Sequence, residues 1–189
     1  LLIDIGSTAV TASIVTLASS SGEAARALKP ESVSVQAVAW EPTVGGSSFD
    51  ELIASILRDR YAAQLTAGSD GAGSNTDSSR IEDLLDGARA TATLLREGKR
   101  VKEVLSASTT AYVTLEGLPL LLPTTDSEDQ TDSAGRAAMV DGVLRTNVSR
   151  VEFEKAAEGL VAKSVAPVET VLRQWMAEQK RTGTKQRQI

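Results

Sequence analysis

The chain opens on an apolar run, Leu1 to Ile5, that Gly6 breaks. Residues 9–17 (AVTASIVTL) form a second stretch rich in small and β-branched side chains. Val33, Val35, Ala37 and Ala39 then recur at period two, the pattern of a strand whose side chains alternate between two faces. Leu1–Ile5 reads as a buried strand. Val38 and Trp40 fill the intervening positions of the third stretch, which predicts a strand covered on both sides. Only a polar segment, Ser19 to Lys29, parts the second stretch from the third, so the pattern predicts a three-stranded antiparallel meander.

Beyond a turn at Pro42–Gly46 the period changes. Ser48-Phe49-Asp50-Glu51 fits a capping box, a hydroxyl with an acid three residues on, and Phe49, Leu52, Ile53, Ile56 and Leu57 continue at helical spacing to about Gln64. Residues 66–80 are Gly, Ser, Asp and Thr with almost no apolar content and read as a flexible linker. One long helix is expected from Ile81 to Ser106, its apolar face running through Leu84, Ala88, Ala92, Leu95, Val101 and Leu105, with Gly87 and Gly98 inside it at a cost in stability. Ala111–Leu118 alternates as a strand, Thr124–Gly135 reads as a disordered polar insertion, and Val143–Val148 is a further strand. Ser149-Arg150-Val151-Glu152 repeats the capping box and opens a helix carrying Phe153, Ala156, Leu160 and Val161. Pro167 is expected to divide it from a last helix with Val168, Val171, Leu172, Trp175 and Met176, and the tail from Lys180 to fray. The succession is that of a mixed α/β or α+β domain with two long polar insertions and no internal repeat.

Composition narrows the chemistry. Of 189 residues 41% are hydrophobic but only 3% aromatic, so the core must be built from Ala, Val, Leu and Ile. A net charge of -5 argues against a nucleic-acid footprint, which needs a basic patch. With neither Cys nor His, disulfides, thiolate catalysis, zinc sites of the usual ligand types and Ser-His-Asp chemistry are excluded. Carboxylates, Lys, Arg, hydroxyls, backbone amides or a carboxylate-held metal must carry any reaction. No apolar run approaches a membrane span and no signal peptide is visible. The first residue already lies inside an apolar run, so the sequence is expected to begin within a longer protein.

Four constellations bear on function. In Asp4-Ile5-Gly6-Ser7-Thr8 a strand ends in an acid and a Gly-led turn exposes backbone amides. Such a turn can wrap a phosphate, and the acid can hold a hydrated Mg2+ beside it; an ordinary hairpin turn has the same local sequence. Val44-Gly45-Gly46-Ser47-Ser48 opens the capped helix, where amides favour anions, although Asp50 and Glu51 already occupy that end. Lys99, Lys102, Glu103 and Ser106 are spaced to line one helix face, fit for a sugar hydroxyl or a purine edge, or for solvent. Asn147-Val148-Ser149 matches the acceptor pattern for asparagine-linked glycans and overlaps the capping Ser149.

The order of these segments carries more than any one of them. Asp4-Ile5-Gly6-Ser7, then residues 40–46 (WEPTVGG), then residues 94–107 (LLREGKRVKEVLSA), then residues 149–154 (SRVEFE) resemble the second lobe of the actin-like ATPase domain of heat-shock-seventy chaperones. Within that superfamily the chain looks most like the large endoplasmic-reticulum branch, the one-hundred-and-seventy-kilodalton glucose-regulated or hypoxia-upregulated type. The phosphate turn has Asp-x-Gly-Ser where ordinary members carry a Gly triplet, and LLREGKRVKEVLSAS has that branch's character.

The resemblance implies an actin-like (ribonuclease-H-like) second lobe. Core strands and a first helix would take 1–65, a linker 66–80, and a helix-plus-strand subdomain 81–148 with an insertion at about 124–136. Helices returning to the core would take 149–180, and a frayed tail 181–189. It further implies ATP or ADP with Mg2+ as ligands. Asp4 would sit near the metal through water, as the catalytic-side acid. Gly6 and Ser7 would offer amides to the phosphates, Gly45 and Gly46 would border the nucleotide cleft, and Lys102 and Ser106 would contact adenosine. Lys99 stands where ordinary members have an acid, Glu103 where they have an Arg, and Ala9 where they place a Thr. These departures fit a nucleotide-exchange partner and holdase more than a fast ATPase. The implied partners are a heat-shock-seventy chaperone and, through a domain outside this chain, unfolded clients, with no nucleic acid and no membrane span. The implied compartment is the endoplasmic-reticulum lumen, with the cytoplasm as the alternative. A one-lobe fragment is expected not to hydrolyse ATP alone. Two other readings compete: a nucleotide-exchange and interaction module whose own nucleotide is structural, and another actin-like protein such as a sugar kinase or filament.

Overall fold

The three N-terminal apolar stretches form one antiparallel sheet in the computed structural model, which describes residues 1–18, 32–67, 78–121 and 139–186. Strands β1 (Leu2–Ile5), β2 (Val10–Ala18) and β3 (Ser32–Glu41) lie in the order β1-β2-β3, the meander the alternation predicts. Ile5 pairs with Val10, Val10 with Glu41 and Ala12 with Ala39, and a bulge falls where Ile14 and Val15 face Ala37 and Val35. The polar segment 19–29 and the expected insertion at 124–136 lie outside the described residues, as does most of the expected linker.

The chain divides into two compact units, residues 1–48 with 158–189, and residues 49–157. In the first, Ala12, Ile14, Ala37 and Ala39 on one face of the sheet pack with Val168, Val171 and Trp175. The opposite face departs from expectation. Leu2, Val33, Val35, Val38 and Trp40 are exposed, Trp40 by 67%, and the whole of β1 is exposed rather than buried. The bulge moves Val33 and Val35 to the face opposite Ala37 and Ala39, so the period-two run does not share one face, and the pattern does not reveal whether a second layer lies on either. Among the described residues only one face has such a layer.

The second unit packs helices on a two-stranded ribbon. Helix α1 (Gly46–Ala67) enters it from residue 49, followed by α2 (Ser78–Leu85) and α3 (Ala88–Ala107). Residues 66–67 and 78–80, expected in the linker, are thus helical. β4 (Thr110–Leu121) pairs with β5 (Met139–Ser149) from Thr110↔Ser149 to Leu121↔Met139. Both strands run further than their alternating cores predict. Gly117 is the extra residue of a bulge between Glu116 and Leu118, and its φ of 77° is the left-handed conformation that a glycine adopts without strain. The core of this unit joins Ile53, Leu57 and Tyr61 to Leu85, Leu94, Val101, Leu118 and Leu144.

Two helix boundaries overturn the expectation. The single helix from Ile81 to Ser106 is two, broken at Asp86-Gly87, with Gly87 at the N-terminal cap of α3. The buried positions are Ala90, Leu94, Gly98, Val101 and Leu105, not the Leu84-Ala88-Ala92-Leu95 line. Ile81 and Leu85 keep one face, but the next buried position, Ala90, is five residues beyond Leu85, a step a straight helix cannot keep on that face, so the break realigns the two apolar stripes. Pro167, by contrast, divides nothing: α4 runs unbroken from Arg150 to Gln186, into the tail expected to fray, whose last residues 187–189 lie outside the described residues. The proline ring is buried four residues before Val171, on the face that meets the sheet, and that packing offsets the one amide donor it removes. Among the described residues no helix is long and apolar enough to cross a membrane.

Candidate functional site

The first unit brings together two of the sequence's glycine turns. Gly6, in the β1–β2 turn, donates its amide to Ala9 O at 2.9 Å. Gly46 N donates to Gly6 O at 2.9 Å and Ser47 N to Ser7 O at 2.8 Å, so the first amides of α1 are capped by the carbonyls of that turn. The hydroxyls of Ser7 and Ser47 add a bond of 2.7 Å. This backbone cap corrects the expected capping box. The helix begins at Gly46, and Ser48 lies within its first turn, where its hydroxyl accepts the Gly45 amide at 3.3 Å.

Gly45 makes the junction possible. A β-carbon there would overlap the carbonyl of Ser7 and come within 2.6 Å of Thr8 N, both backbone atoms that no rotamer can move aside. The outcome is a stitched corner in which Gly6, Ser7, Gly45 and Gly46 hold one another. Ser7 and Thr8 are exposed on it. Asp4 is exposed one residue before the end of β1, in register with Thr11, and Thr11 with Trp40, so all three share the open face of the sheet. Among the described residues no cluster of three metal-ligating side chains forms. Asp4 could serve a cation only as one carboxylate beside ligand oxygens and water, which is how Mg2+ is commonly held next to phosphates.

At the foot of β3, Glu41 Oε1 accepts the Thr43 hydroxyl at 2.5 Å and the Thr43 amide at 2.9 Å. The hydroxyl first and the amide second hold the Glu41 carboxyl below its usual range, with a smaller contribution from Lys163. This closes the turn that delivers Val44 and Gly45.

The other two expected contacts, Lys102 and Ser106, belong to the second unit. Lys102 Nζ lies 2.7 Å from Asp50 Oδ1, and both side chains are largely covered. The oxygen is buried with no aligned hydrogen bond, so the contact is an ion pair first. Ser106 is exposed and donates its hydroxyl to Glu103 O at 2.6 Å, back onto its own helix. Lys99 and Glu103 are exposed on the same helix. Gly98, expected as a cost, is a packing requirement: a β-carbon there would fall 2.5 Å from Asp50 O and 3.1 Å from Ala54 N. The close approach of α1 to α3 at Gly98 is what brings Asp50 to Lys102.

Two guanidinium contacts carry structure that the residue pattern did not show. Arg60 grips both Glu152 carboxylate oxygens at 2.6 and 2.7 Å, donates to Thr146 Oγ1 at 2.9 Å and reaches Asn147 O. Glu152 therefore serves Arg60, while Ser149 Oγ still accepts the Glu152 amide at 3.2 Å, which leaves half of the expected capping box. Arg150 donates to Leu105 O at 2.9 Å and Ser106 O at 3.3 Å, capping the end of α3. Long-range guanidinium contacts have no periodicity and leave no mark in a sequence.

No family model matches the chain. It is similar to heat shock 70 kDa protein 17 of Arabidopsis thaliana, 25% identical over 171 residues, which cover 90% of this chain and 16% of that protein. It is also similar to human hypoxia up-regulated protein 1, 28% identical over 138 residues, 73% of this chain and 11% of that protein. This is distant homology to the heat-shock-70 family that the motifs resemble, and the chain spans only a small part of either relative's length.

Proposed function

We propose that the chain is part of the ATP-binding domain of a large heat-shock-70-type chaperone, and that the stitched corner of the first unit is its phosphate-facing element. The observation that carries this reading is the mutual capping of the two glycine turns. Gly46 and Ser47 donate to Gly6 O and Ser7 O, which leaves the exposed Ser7–Thr8 segment pinned from beneath at the end of a strand that carries Asp4. A rigid turn beside a carboxylate suits a nucleotide phosphate with its Mg2+, since the turn need not be reorganised on binding, although the Gly6 amide expected to face the phosphates is already given to Ala9 O. In this reading Asp4 holds the metal through water, Ser7 meets the phosphates, and Gly6, Gly45 and Gly46 shape the corner. Lys102 and Ser106 take the adenosine contacts that the resemblance implies. The intact protein assists folding in the endoplasmic-reticulum lumen, with ATP, a partner chaperone and unfolded clients as its ligands, and this segment alone does not hydrolyse ATP.

The test is equilibrium binding of ATP to the full-length protein with and without Mg2+. Asp4→Ala should weaken binding by about tenfold, roughly 1.4 kcal/mol, in Mg2+ and leave the metal-free affinity unchanged. Equal affinities for both proteins in Mg2+ would overturn the assignment of Asp4.

A second reading, a nucleotide-exchange and interaction module, gains from one observation. Lys102 is already neutralised by Asp50 at 2.7 Å, an arrangement that suits a structural cation at least as well as one recruited by a ligand. Exchange of nucleotide from a partner chaperone that survives Asp4→Ala intact would favour this second reading.

A further inference from the structure

We propose that Asn147 is the acceptor of an asparagine-linked glycan, and that Tyr112 is the platform on which the first sugar of that glycan rests. The inference builds on the lumenal compartment proposed above. Asn147-Val148-Ser149 is the one Asn-x-Ser/Thr triplet in the sequence. The fold presents it outward. Leu144 and Val148 of β5 turn into the core, so the alternate positions Arg145 and Asn147 turn away from it. Asn147 is exposed, and its main-chain carbonyl is held by Arg60 from the other side of the strand. Its side-chain amide takes no hydrogen bond among the described residues and is committed to nothing in the fold.

Tyr112 is its direct cross-strand partner in the β4–β5 register. It is 78% exposed, the most exposed large hydrophobic side chain of the second unit. Opposed residues hold their β-carbons about 5 Å apart, so the ring lies within reach of a sugar carried on the neighbouring amide. The phenol pairs an apolar face with a hydrated tip. The C–H face of an N-acetylglucosamine ring fits the first and its hydroxyls leave the second in water. Thr110, Thr114, Arg145 and Ser149 share this outward face by alternation, a surface that receives a polar sugar without losing apolar contact.

The step balances with a lipid-linked oligosaccharide pyrophosphate as donor and the compartment's transferase as catalyst. The amide nitrogen of Asn147 forms a bond to the anomeric carbon, the bond from that carbon to the pyrophosphate oxygen breaks, the amide loses one proton, and the lipid pyrophosphate leaves. The structure also sets the order of events. In the folded chain β5 is paired along its length and Ser149 Oγ accepts the Glu152 amide. Transfer therefore precedes the pairing of β5 and the closure of α4, and the finished sheet then displays the sugar.

The experiment expresses the full-length protein in cultured eukaryotic cells behind a cleavable secretory signal and maps the peptide containing position 147 by mass spectrometry before and after peptide-N-glycosidase. The expected result is a glycan on the parent and on Ser149→Thr, and none on Asn147→Gln or Ser149→Asp. The last variant keeps a side chain that can cap α4 while destroying the triplet, so its loss of glycan is not a folding failure. Removing the glycan from the folded parent should lower Tm, and Tyr112→Ala should keep the glycan while abolishing that difference. An unmodified position 147 in the secreted parent overturns the acceptor, and a glycan-dependent Tm shift that survives Tyr112→Ala overturns the platform. Because the signal is supplied, neither outcome depends on the native compartment. That reading is tested by locating the untagged protein and fails alone if it resides outside the secretory pathway.

Discussion

The α-carbon of Gly45 lies so close to the carbonyl of Ser7 that no β-carbon fits between them. A sequence shows a Gly pair ahead of a helix and offers two explanations, a ligand that must come close or a backbone that must. Here the backbone comes close, and any ligand would meet the corner that this contact makes rigid. Gly45→Ala should therefore destabilise the first unit by about 1–3 kcal/mol, the usual range for forcing a methyl group into packed atoms. Denaturant unfolding followed by Trp fluorescence measures it, and a loss below 0.5 kcal/mol, roughly the noise of a surface substitution, would contradict the contact.

Gly98→Ala tests the same idea where propensity points the other way. In an unobstructed helix the change gains up to about 1 kcal/mol. In α3 the new methyl group meets Asp50 O and Ala54 N, at an overlap cost of about 1–3 kcal/mol. The net effect should be a loss, and a more stable variant would show that α1 and α3 are not in close contact.

Lys102→Met separates structure from ligand binding. The pair with Asp50 is neither fully buried nor fully exposed, so removing the ammonium should cost about 1–2 kcal/mol, between the surface and interior cases. Asp50→Asn with Lys102→Met should recover part of that loss. A Lys102→Met protein of full stability but weakened ATP affinity would instead make the lysine a ligand contact alone.

Glu41 gives a pH signature. Its carboxyl is held below the usual range by the Thr43 hydroxyl and amide. The stability it adds is present above the ordinary glutamate value and disappears as pH falls through the depressed folded value. Thr43→Val removes the leading cause, so the Glu41 titration followed by carboxyl NMR should move upward toward the ordinary range. An unmoved midpoint would assign the depression elsewhere.

What the sequence disclosed follows from what periodicity encodes. The three-stranded meander, β4 and β5 as strands, and the Ser149 cap were legible because alternation and local caps are properties of neighbouring residues; that β4 and β5 pair with each other was not read. The break at Gly87 was not: Ile81–Leu85 and Ala90–Leu105 are two stripes with offset phases that a single face averages into one. Pro167 misled because its cost is local while its compensation, the buried ring above Val171, is tertiary. The exposure of Trp40 was hidden because an alternating strand does not reveal how many layers surround it. At the candidate site, glycine positions showed where backbones come close but not to what, and the guanidinium contacts of Arg60 and Arg150 were silent.

Arg150 stands at the meeting of two helices. Its amide bonds to Thr109 O at the start of α4, and its guanidinium holds the last carbonyls of α3. One residue thus closes one helix while opening another. The final turn of α3 and the first turn of α4 should then behave as a single opening unit in hydrogen exchange, their amides sharing one protection factor, so that loosening either end releases both.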